Sequence, residues 1–249
     1  MAVTTVYQSS QGRVGNSASG TLAAAWASAK GTNTTTGNSV GSTSTNDNFG
    51  SRTEAARGGQ FLATNYRAYF YFDLSSISDI TGITFTARGG TNSTNQNGDW
   101  IAARANQDAD FGTIATSDFA LVFNNSTQMT SYSNSAATWN PNFGGNLGVN
   151  TISLNATAVS NANSGGASAQ ELCIGLINNT YDYENEDAEE DFGQLVNGVA
   201  LTSSGTGRAL LTVTHTASGY GNEVNNIIPA KISKILGISS ANISKVTGV

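Results

Sequence analysis

The alternation of apolar and polar residues along the chain predicts a protein built from short β-strands. In the clearest segment, 66–74, every second residue is apolar, and the side chains on this face are Ala68, Phe70, Phe72 and Leu74. The opposite face carries Arg67, Tyr69, Tyr71 and Asp73. Segment 83–87 repeats the alternation, with Ile83, Phe85 and Ala87 on its apolar face. We expect these two segments to form core strands.

Further strands are predicted where a short run of β-prone residues lies between clusters of Gly, Asn, Asp or Ser. These runs are 3–7, 100–105, 119–123, 151–155, 171–177 and 209–216. The stretch before residue 60 is rich in Ser, Thr, Gly and Asn, and its spaced apolar residues predict short strands and loops. Seven or more strands at this spacing favour an all-β fold, an antiparallel sandwich.

The composition supports one β domain. Only 11% of the residues are charged, while 38% are hydrophobic, enough apolar material for a core. The chain is polar mainly through hydroxyl and amide side chains, which compete for backbone hydrogen bonds inside a helix. We therefore expect no long helix.

Charge and rare residues exclude several function classes. A net charge of −6 argues against a nucleic-acid or anionic-membrane protein, because both need dense Lys and Arg. Cys173 and His215 are the only residues of their types, so an intrachain disulfide and a Cys/His zinc site are excluded. The N-terminus lacks a signal-peptide pattern, and we expect a chain made in the cytoplasm that stays soluble.

The composition changes near residue 219. Residues 1–218 carry 8 basic and 16 acidic residues, a balance of −8, whereas 219–249 carry 3 and 1, a balance of +2. Within this tail, Ala-Lys-Ile-Ser-Lys-Ile-Leu-Gly-Ile at 230–238 returns eleven residues later as Ala-Asn-Ile-Ser-Lys-Val-Thr-Gly-Val at 241–249. Each copy predicts a small helical turn, with Ser240 as an N-cap and Gly237 and Gly248 at C-caps. We expect a sandwich domain at 1–218 and a separate repeat tail at 219–249.

Helical turns this short need a partner surface, because nucleation outweighs the few hydrogen bonds gained. The docking residues that we predict are Ile232, Ile235, Ile238, Ile243, Val246 and Val249. They contact sister subunits or another protein in one interpretation. In the other, the tail packs on its own sandwich as a C-terminal clasp.

Two segments in the body resemble a known family. Arg-Ala-Tyr-Phe-Tyr-Phe-Asp-Leu-Ser-Ser-Ile at 67–77, followed by Ile-Thr-Phe-Thr-Ala at 83–87, resembles the signature strands of disaggregatase-related β-sandwich modules. Later landmarks at 117–119, 138–140, 152–155 and 210–214 are similar to that pattern, so the resemblance covers residues 3–216. Related sandwiches include carbohydrate-binding modules and virion proteins of tailed bacteriophages. The repeat tail resembles the C-termini of fibre and decoration proteins of aquatic phages.

The resemblance implies a jelly-roll-like sandwich displayed on a phage particle as a capsid decoration, head fibre or tail-fibre component. It implies a homo-oligomer, by analogy a trimer, attached through its tail to a major capsid or tail protein. Weak contact with a host surface glycan is a further expectation. Such a protein is made in the host cytoplasm and is not an enzyme. The alternatives are a carbohydrate-binding adhesion module, a receptor-binding tail protein and, more remotely, a tail-spike glycan hydrolase.

Each candidate catalytic or metal-binding residue has a structural interpretation as well as a functional one. His215 is the only histidine available as a base, but it shares its strand face with apolar residues and favours a structural role. Cys173, between apolar neighbours, is typical of an inert buried thiol. The acidic run 182–191 offers weak calcium ligands, chiefly Asp182, Glu184 and Asp187, although a solvated loop is the simpler interpretation. No other cofactor is expected.

Tryptophans are the usual platforms for sugar rings, and the chain has three. For any one of them, burial in the core is the simpler expectation. Trp100 follows the Asn- and Gly-rich stretch 91–99 and is predicted to be the most exposed. It is therefore the candidate glycan contact.

Overall fold

Two antiparallel sheets pack face to face in a sandwich-like fold and enclose the main core. The computed structural model describes residues 1–41, 44–89, 98–106, 114–124, 128–140, 148–164, 171–187, 189, 193–202, 205–216, 234–235 and 238–239. The strands in chain order are β1 (Ala2–Tyr7), β2 (Ser10–Gly20), β3 (Ser39–Gly41), β4 (Ser44–Ala56), β5 (Gln60–Asp73), β6 (Ile80–Arg88), β7 (Asp99–Arg104), β8 (Ala137–Thr138), β9 (Val149–Ser153), β10 (Glu171–Asn178), β11 (Gly193–Leu201), β12 (Leu210–His215), β13 (Lys234–Ile235) and β14 (Ile238–Ser239). The helices are α1 (Leu22–Lys30) and α2 (Ala156–Ser164).

The smaller sheet has four strands in the order β1-β12-β6-β9. The larger sheet has eight strands and is organised around β5. One edge of β5 pairs with β2 over residues 61–71. The other edge is shared, because β4 pairs with residues 60–66 and β10 with residues 68–73. β11 continues the sheet beyond β4, while β7 and β8 continue it beyond β10.

The predicted apolar faces of β5 and β6 meet in the main core, which confirms the alternation in both strands. Phe70, Phe72 and Phe85 have no exposed surface. The ring of Phe85 lies 5.5 Å from that of Phe70 and 6.1 Å from that of Phe72. Because β5 lies in the large sheet and β6 in the small one, these contacts join the two layers.

The outer face of the large sheet is also covered, by a second apolar layer. There Tyr69, Tyr71 and Cys173 pack against a 3₁₀ helix at Thr116–Val122. Helix α1 covers the neighbouring part of the same face, burying Ala25, Trp26 and Ala29 around Ala63. The sheet is therefore buried on both sides over much of its width.

Two of these covering elements differ from the sequence-based prediction. Segment 119–123, predicted as a strand, belongs mainly to the 3₁₀ helix, because residues three apart share one face of such a helix and Phe119 and Val122 are both buried there. The Asp118 carboxylate accepts a hydrogen bond from the Ala115 N–H, 2.8 Å away, and fixes the first turn. Helix α1 was also not predicted. Gly31 caps its C-terminus, and the φ of 69° at this position suits glycine.

The stretch before residue 60 contains longer strands than predicted, with 11 residues in β2 and 13 in β4. At one position in β2 the close approach of a neighbouring side chain requires glycine. A Cβ atom on Gly15 would lie 1.9 Å from Cε1 of Tyr66. The Tyr66 ring therefore takes the space that a side chain at position 15 would need.

The tail does not form the predicted helical turns at the four residues that the structure describes. Lys234 pairs with Ser239 and Ile235 with Ile238, as antiparallel strands. Isoleucine is β-branched and favours extended backbone, a preference that the helical interpretation underweighted. Residues 217–233, 236–237 and 240–249 lie outside the described part, and the domain boundary stays a prediction. Within the described residues, no helix is long and apolar enough to cross a membrane.

Candidate functional site

The most unusual polar group in the described structure is Arg67, which lies in the middle of β5 and has no exposed surface. It is on the outer face of the large sheet, as the alternation predicted. Its Nε donates to Oδ2 of Asp182 at 2.8 Å, and Nη2 donates to Oδ1 at 2.7 Å. This is the two-point geometry in which guanidinium and carboxylate interact most strongly. Asp182 is itself 3% exposed, so the ion pair is shielded from water.

Two of the three remaining N–H groups of Arg67 donate to backbone carbonyls of the covering layer. Nη1 donates to the carbonyl of Phe119 at 2.8 Å, and Nη2 donates to that of Lys30 at 2.9 Å. The guanidinium also lies 4.0 Å from the ring centre of Phe119 and 4.6 Å from that of Phe123. One side chain therefore holds the end of α1, the 3₁₀ helix and the turn that carries its carboxylate partner.

That carboxylate is positioned by a π-helical turn, Asn179–Tyr183, directly after β10. The Asn178 side-chain oxygen accepts a hydrogen bond from the Tyr181 N–H at 2.7 Å. The Asn178 amide in turn donates to the Asp99 carboxylate at 3.0 Å, and the Thr180 hydroxyl donates to the same carboxylate at 2.6 Å. These bonds hold the residues directly before Asp182 and so help to place its carboxylate opposite Arg67.

The electrostatics of the site follow from burial and from this pairing. Burial alone would lower the pKa of Arg67, but the charge and hydrogen bonds of Asp182 more than compensate, and the pKa is raised. Burial raises the pKa of Tyr69, whose hydroxyl donates to the Phe119 carbonyl at 3.1 Å. Burial lowers the pKa of Lys30, while Asp182 and Asp187 act in the opposite direction. The Arg67–Asp182 pair is therefore buried, and the two charges neutralise each other.

Calcium binding by the acidic run was predicted to use Asp182, Glu184 and Asp187. The structure does not bring them together as a ligand set, because both oxygens of Asp182 accept hydrogen bonds from Arg67. Glu184 and Asp187 are exposed. Among the described residues, no group of three or more His, Cys, Asp or Glu side chains could hold a metal ion. The second half of the run includes residues 188, 190 and 191, which are outside the described part.

The prediction that Trp100 is exposed is wrong. Trp100 is 0%, Trp139 1% and Trp26 3% exposed. The Trp100 ring lies 5.8 Å from that of Trp139 and 6.3 Å from that of Phe85, inside the main core. The Asn- and Gly-rich stretch before it suggested exposure, but Trp100 lies on the inner face of β7 and packs between the two sheets. It cannot stack on a glycan from this position.

The single histidine and the single cysteine occupy structural positions. Nδ1 of His215 is 2.9 Å from the Thr216 carbonyl, which can only accept a hydrogen bond, so Nδ1 carries the proton. Nε2 is 2.9 Å from the Thr4 hydroxyl, and this contact joins β12 to β1. Cys173 is 3% exposed within the outer apolar layer, as predicted for a buried thiol.

The docking residues of the tail are mostly beyond what the structure describes. Ile235 and Ile238 are paired strand residues. Ile232, Ile243, Val246 and Val249 lie outside the described part, and their docking role stays a prediction.

Comparison with known proteins leaves the site to be interpreted from its own chemistry. No protein-family model matches the sequence, and the search of curated proteins finds no match either.

We predict strong energetic coupling between Arg67 and Asp182. Arg67→Met or Asp182→Leu alone should lower the free energy of unfolding by about 3–5 kcal/mol, because each leaves a lone buried charge. The double variant should lose clearly less than the sum of the two, since it leaves none. Urea unfolding followed by tryptophan fluorescence measures all four proteins.

The exposed pair Arg52–Glu54 is the matched control, with its charged atoms 2.9 Å apart and its side chains 35% and 49% exposed. Arg52→Met and Glu54→Leu should each change stability by less than about 1 kcal/mol and show little coupling. Equal coupling in the two pairs would contradict the role that we assign to the buried one.

The raised pKa of Tyr69 predicts that the folded protein loses stability at alkaline pH. Because its pKa is raised in the folded state, the unfolded chain releases the phenol proton first, near pH 10, and folding then loses stability as the pH rises. The expected slope is about 1.4 kcal/mol per pH unit for this group. Tyr132 and Tyr181, whose pKa values are also raised by burial, should add to it. Urea midpoints from pH 8 to pH 11 should fall less steeply in Tyr69→Phe than in the native chain; parallel profiles would contradict the assignment.

Proposed function

We propose that the protein is a structural, non-catalytic component of a tailed-bacteriophage virion. Its body, a jelly-roll-like sandwich, is displayed on the particle surface as a capsid decoration, head fibre or tail-fibre component. The tail at 219–249 attaches the body to the particle or to sister subunits. This function needs a stable body and an attachment segment, and the two parts of the chain are suited to those roles.

The chemistry of the body supports a structural role. Arg67 and Asp182 are the residues whose burial most resembles a functional site, yet their polar atoms bind the covering layer and leave no donor facing solvent. His215 joins two strands of the small sheet. These side chains stabilise the sandwich, and a stable sandwich serves display well.

The repeat tail is the observation that carries the proposal. Two copies of an apolar eleven-residue motif follow a body of opposite charge, with +2 in residues 219–249 against −8 in residues 1–218. A tail of this sign is attracted to acidic neighbours, including other copies of the body, while its apolar residues supply area to bury. The partners that we propose are a second copy of the chain and the major capsid or tail protein. A host surface glycan is a weaker partner.

The rival class is a free carbohydrate-binding module or a glycan hydrolase. A module of that kind recognises sugars with exposed aromatic side chains, commonly tryptophan. All three tryptophans of this chain are buried. This burial disfavours the rival class. A free module of that class would also have no need of the repeat tail.

The experiment that tests the proposal is electron microscopy of phage particles labelled with antibody fragments raised against residues 1–216. We expect labels at regular positions on the head or tail. Particles assembled with Ile243→Asp should lose labelling, because a charge in the repeat opposes docking, whereas the neighbouring Asn242→Asp should retain it. Unlabelled native particles would contradict the virion assignment. Full labelling of Ile243→Asp particles would contradict attachment through the tail.

A further inference from the structure

The outer face of the small sheet is composed almost entirely of hydroxyl-bearing and apolar residues. The strand registers place them in three rows across β1, β12, β6 and β9. The rows are Val3, Thr214 and Gly82; Thr5, Thr212, Thr84 and Ser153; and Tyr7, Leu210, Thr86 and Thr151. We call this surface the threonine face. Eight of its eleven positions bear a hydroxyl group and none bears a charge.

Exposed apolar side chains gather on and around this face. The described part of the chain has five exposed large hydrophobic residues. Val3, 66% exposed, and Tyr7, 46% exposed, belong to the threonine face. Met1 directly precedes β1, and Val149 lies in the row after Thr151, so four of the five are on this side of the molecule. Val3 and Tyr7 are on the edge strand β1 and Val149 is on the opposite edge strand β9, so exposed apolar side chains flank the face on both sides.

We propose that the threonine face is a homotypic interface, at which a second copy of this chain packs against the same surface. The two copies would be related by a two-fold axis along the middle row, so that each residue of that row meets its own copy in the partner. This interface is separate from the tail, and it does not depend on whether the protein belongs to a virion.

The charge of the chain restricts where a second copy can bind. Each chain carries a net charge of −6, so two copies repel unless they meet where no carboxylates oppose each other. The threonine face provides such a place. Described charges lie at both ends of its rim: Arg88 pairs with Val149 in the next row, the Arg208 guanidinium lies 4.5 Å from the Tyr7 ring centre, and Asp79 directly precedes β6 at the opposite end.

Hydroxyl chemistry makes the face complementary to itself. A threonine hydroxyl both donates and accepts hydrogen bonds, unlike a lysine, which only donates, or a carboxylate, which only accepts. The hydroxyls of Thr86 and Thr151 already approach each other across two strands at 3.2 Å. The threonine methyl groups, with Val3 and Leu210, add apolar area between these donors and acceptors. Two such faces can therefore bury each other without leaving a charge unpaired.

The size of the face sets the strength of the contact. Four strands about 4.8 Å apart and three rows about 6.8 Å apart cover roughly 20 by 20 Å, or on the order of 400 Å². A stable interface buries about 800 Å² on each partner, so the face alone should give a weak dimer. Copies held close together on an assembly would engage it through their high local concentration.

Sedimentation velocity on the full chain across a range of concentrations tests the proposal. We expect the mean mass to rise from one chain towards two. Thr5→Glu and Ser153→Glu, exposed at opposite ends of the middle row, should each weaken dimerisation at least about tenfold, because two copies would then bring like charges together. The control is Thr36→Glu, which adds the same charge at an exposed position in the connection between α1 and β3 and should leave the dimer intact.

A mixture of Ser153→Glu and Ser153→Lys chains should dimerise more tightly than either alone, while circular dichroism confirms that each is folded. A native chain that stays monomeric at all concentrations would overturn the proposal. Dimers that resist both glutamate variants but are lost in Ile243→Asp would also overturn it, and would place self-association in the tail. In that case the attachment role proposed for the tail would stand.

Discussion

A fully buried guanidinium on the outer face of the large sheet is the constraint on which the surrounding structure depends. A charge of this kind is tolerated only with an opposite charge and with acceptors for its N–H groups. Arg67 therefore requires Asp182 from the turn after β10, and carbonyls from α1 and the 3₁₀ helix. Three separate parts of the sequence must close over β5 together. The two-sided burial of the large sheet follows from meeting this requirement.

Two outer faces of the sandwich consequently differ in character. The large sheet is closed by its second layer, and its polar groups are directed into that layer. The threonine face of the small sheet is uncharged, and Val3 and Tyr7 are exposed on it. If the protein is displayed on a particle as we propose, the closed side supplies rigidity, while the open face and the basic tail supply contacts. Display then needs no chemistry beyond packing and hydrogen bonding.

The inner faces of β5 and β6 were predictable because alternation has a local period, and a core between two sheets selects one face of each strand. The Arg67–Asp182 pair was not, since its members are separated by 115 residues and no local pattern joins them. Trp100 was misjudged for a related reason: its Gly- and Asn-rich neighbours are local, whereas its partners Phe85 and Trp139 are distant in sequence. At Phe119 the apolar run itself fits a strand, and only the three-residue spacing of Phe119 and Val122 fits a 3₁₀ helix. In the tail, glycine at the predicted C-caps favours helical turns, whereas isoleucine favours extended backbone.

The central claim is that Arg67 fastens the covering layer to the large sheet, and amide hydrogen exchange of the native chain and of Arg67→Met tests it most directly. Exchange reports local opening element by element. We predict faster exchange in α1, in Thr116–Val122 and in Asn179–Tyr183 of the variant. The amides of β6 and β12 should exchange faster only by the amount that the variant's lower free energy of global unfolding requires. Uniform acceleration throughout both sheets, or unchanged exchange in the covering layer, would contradict the account.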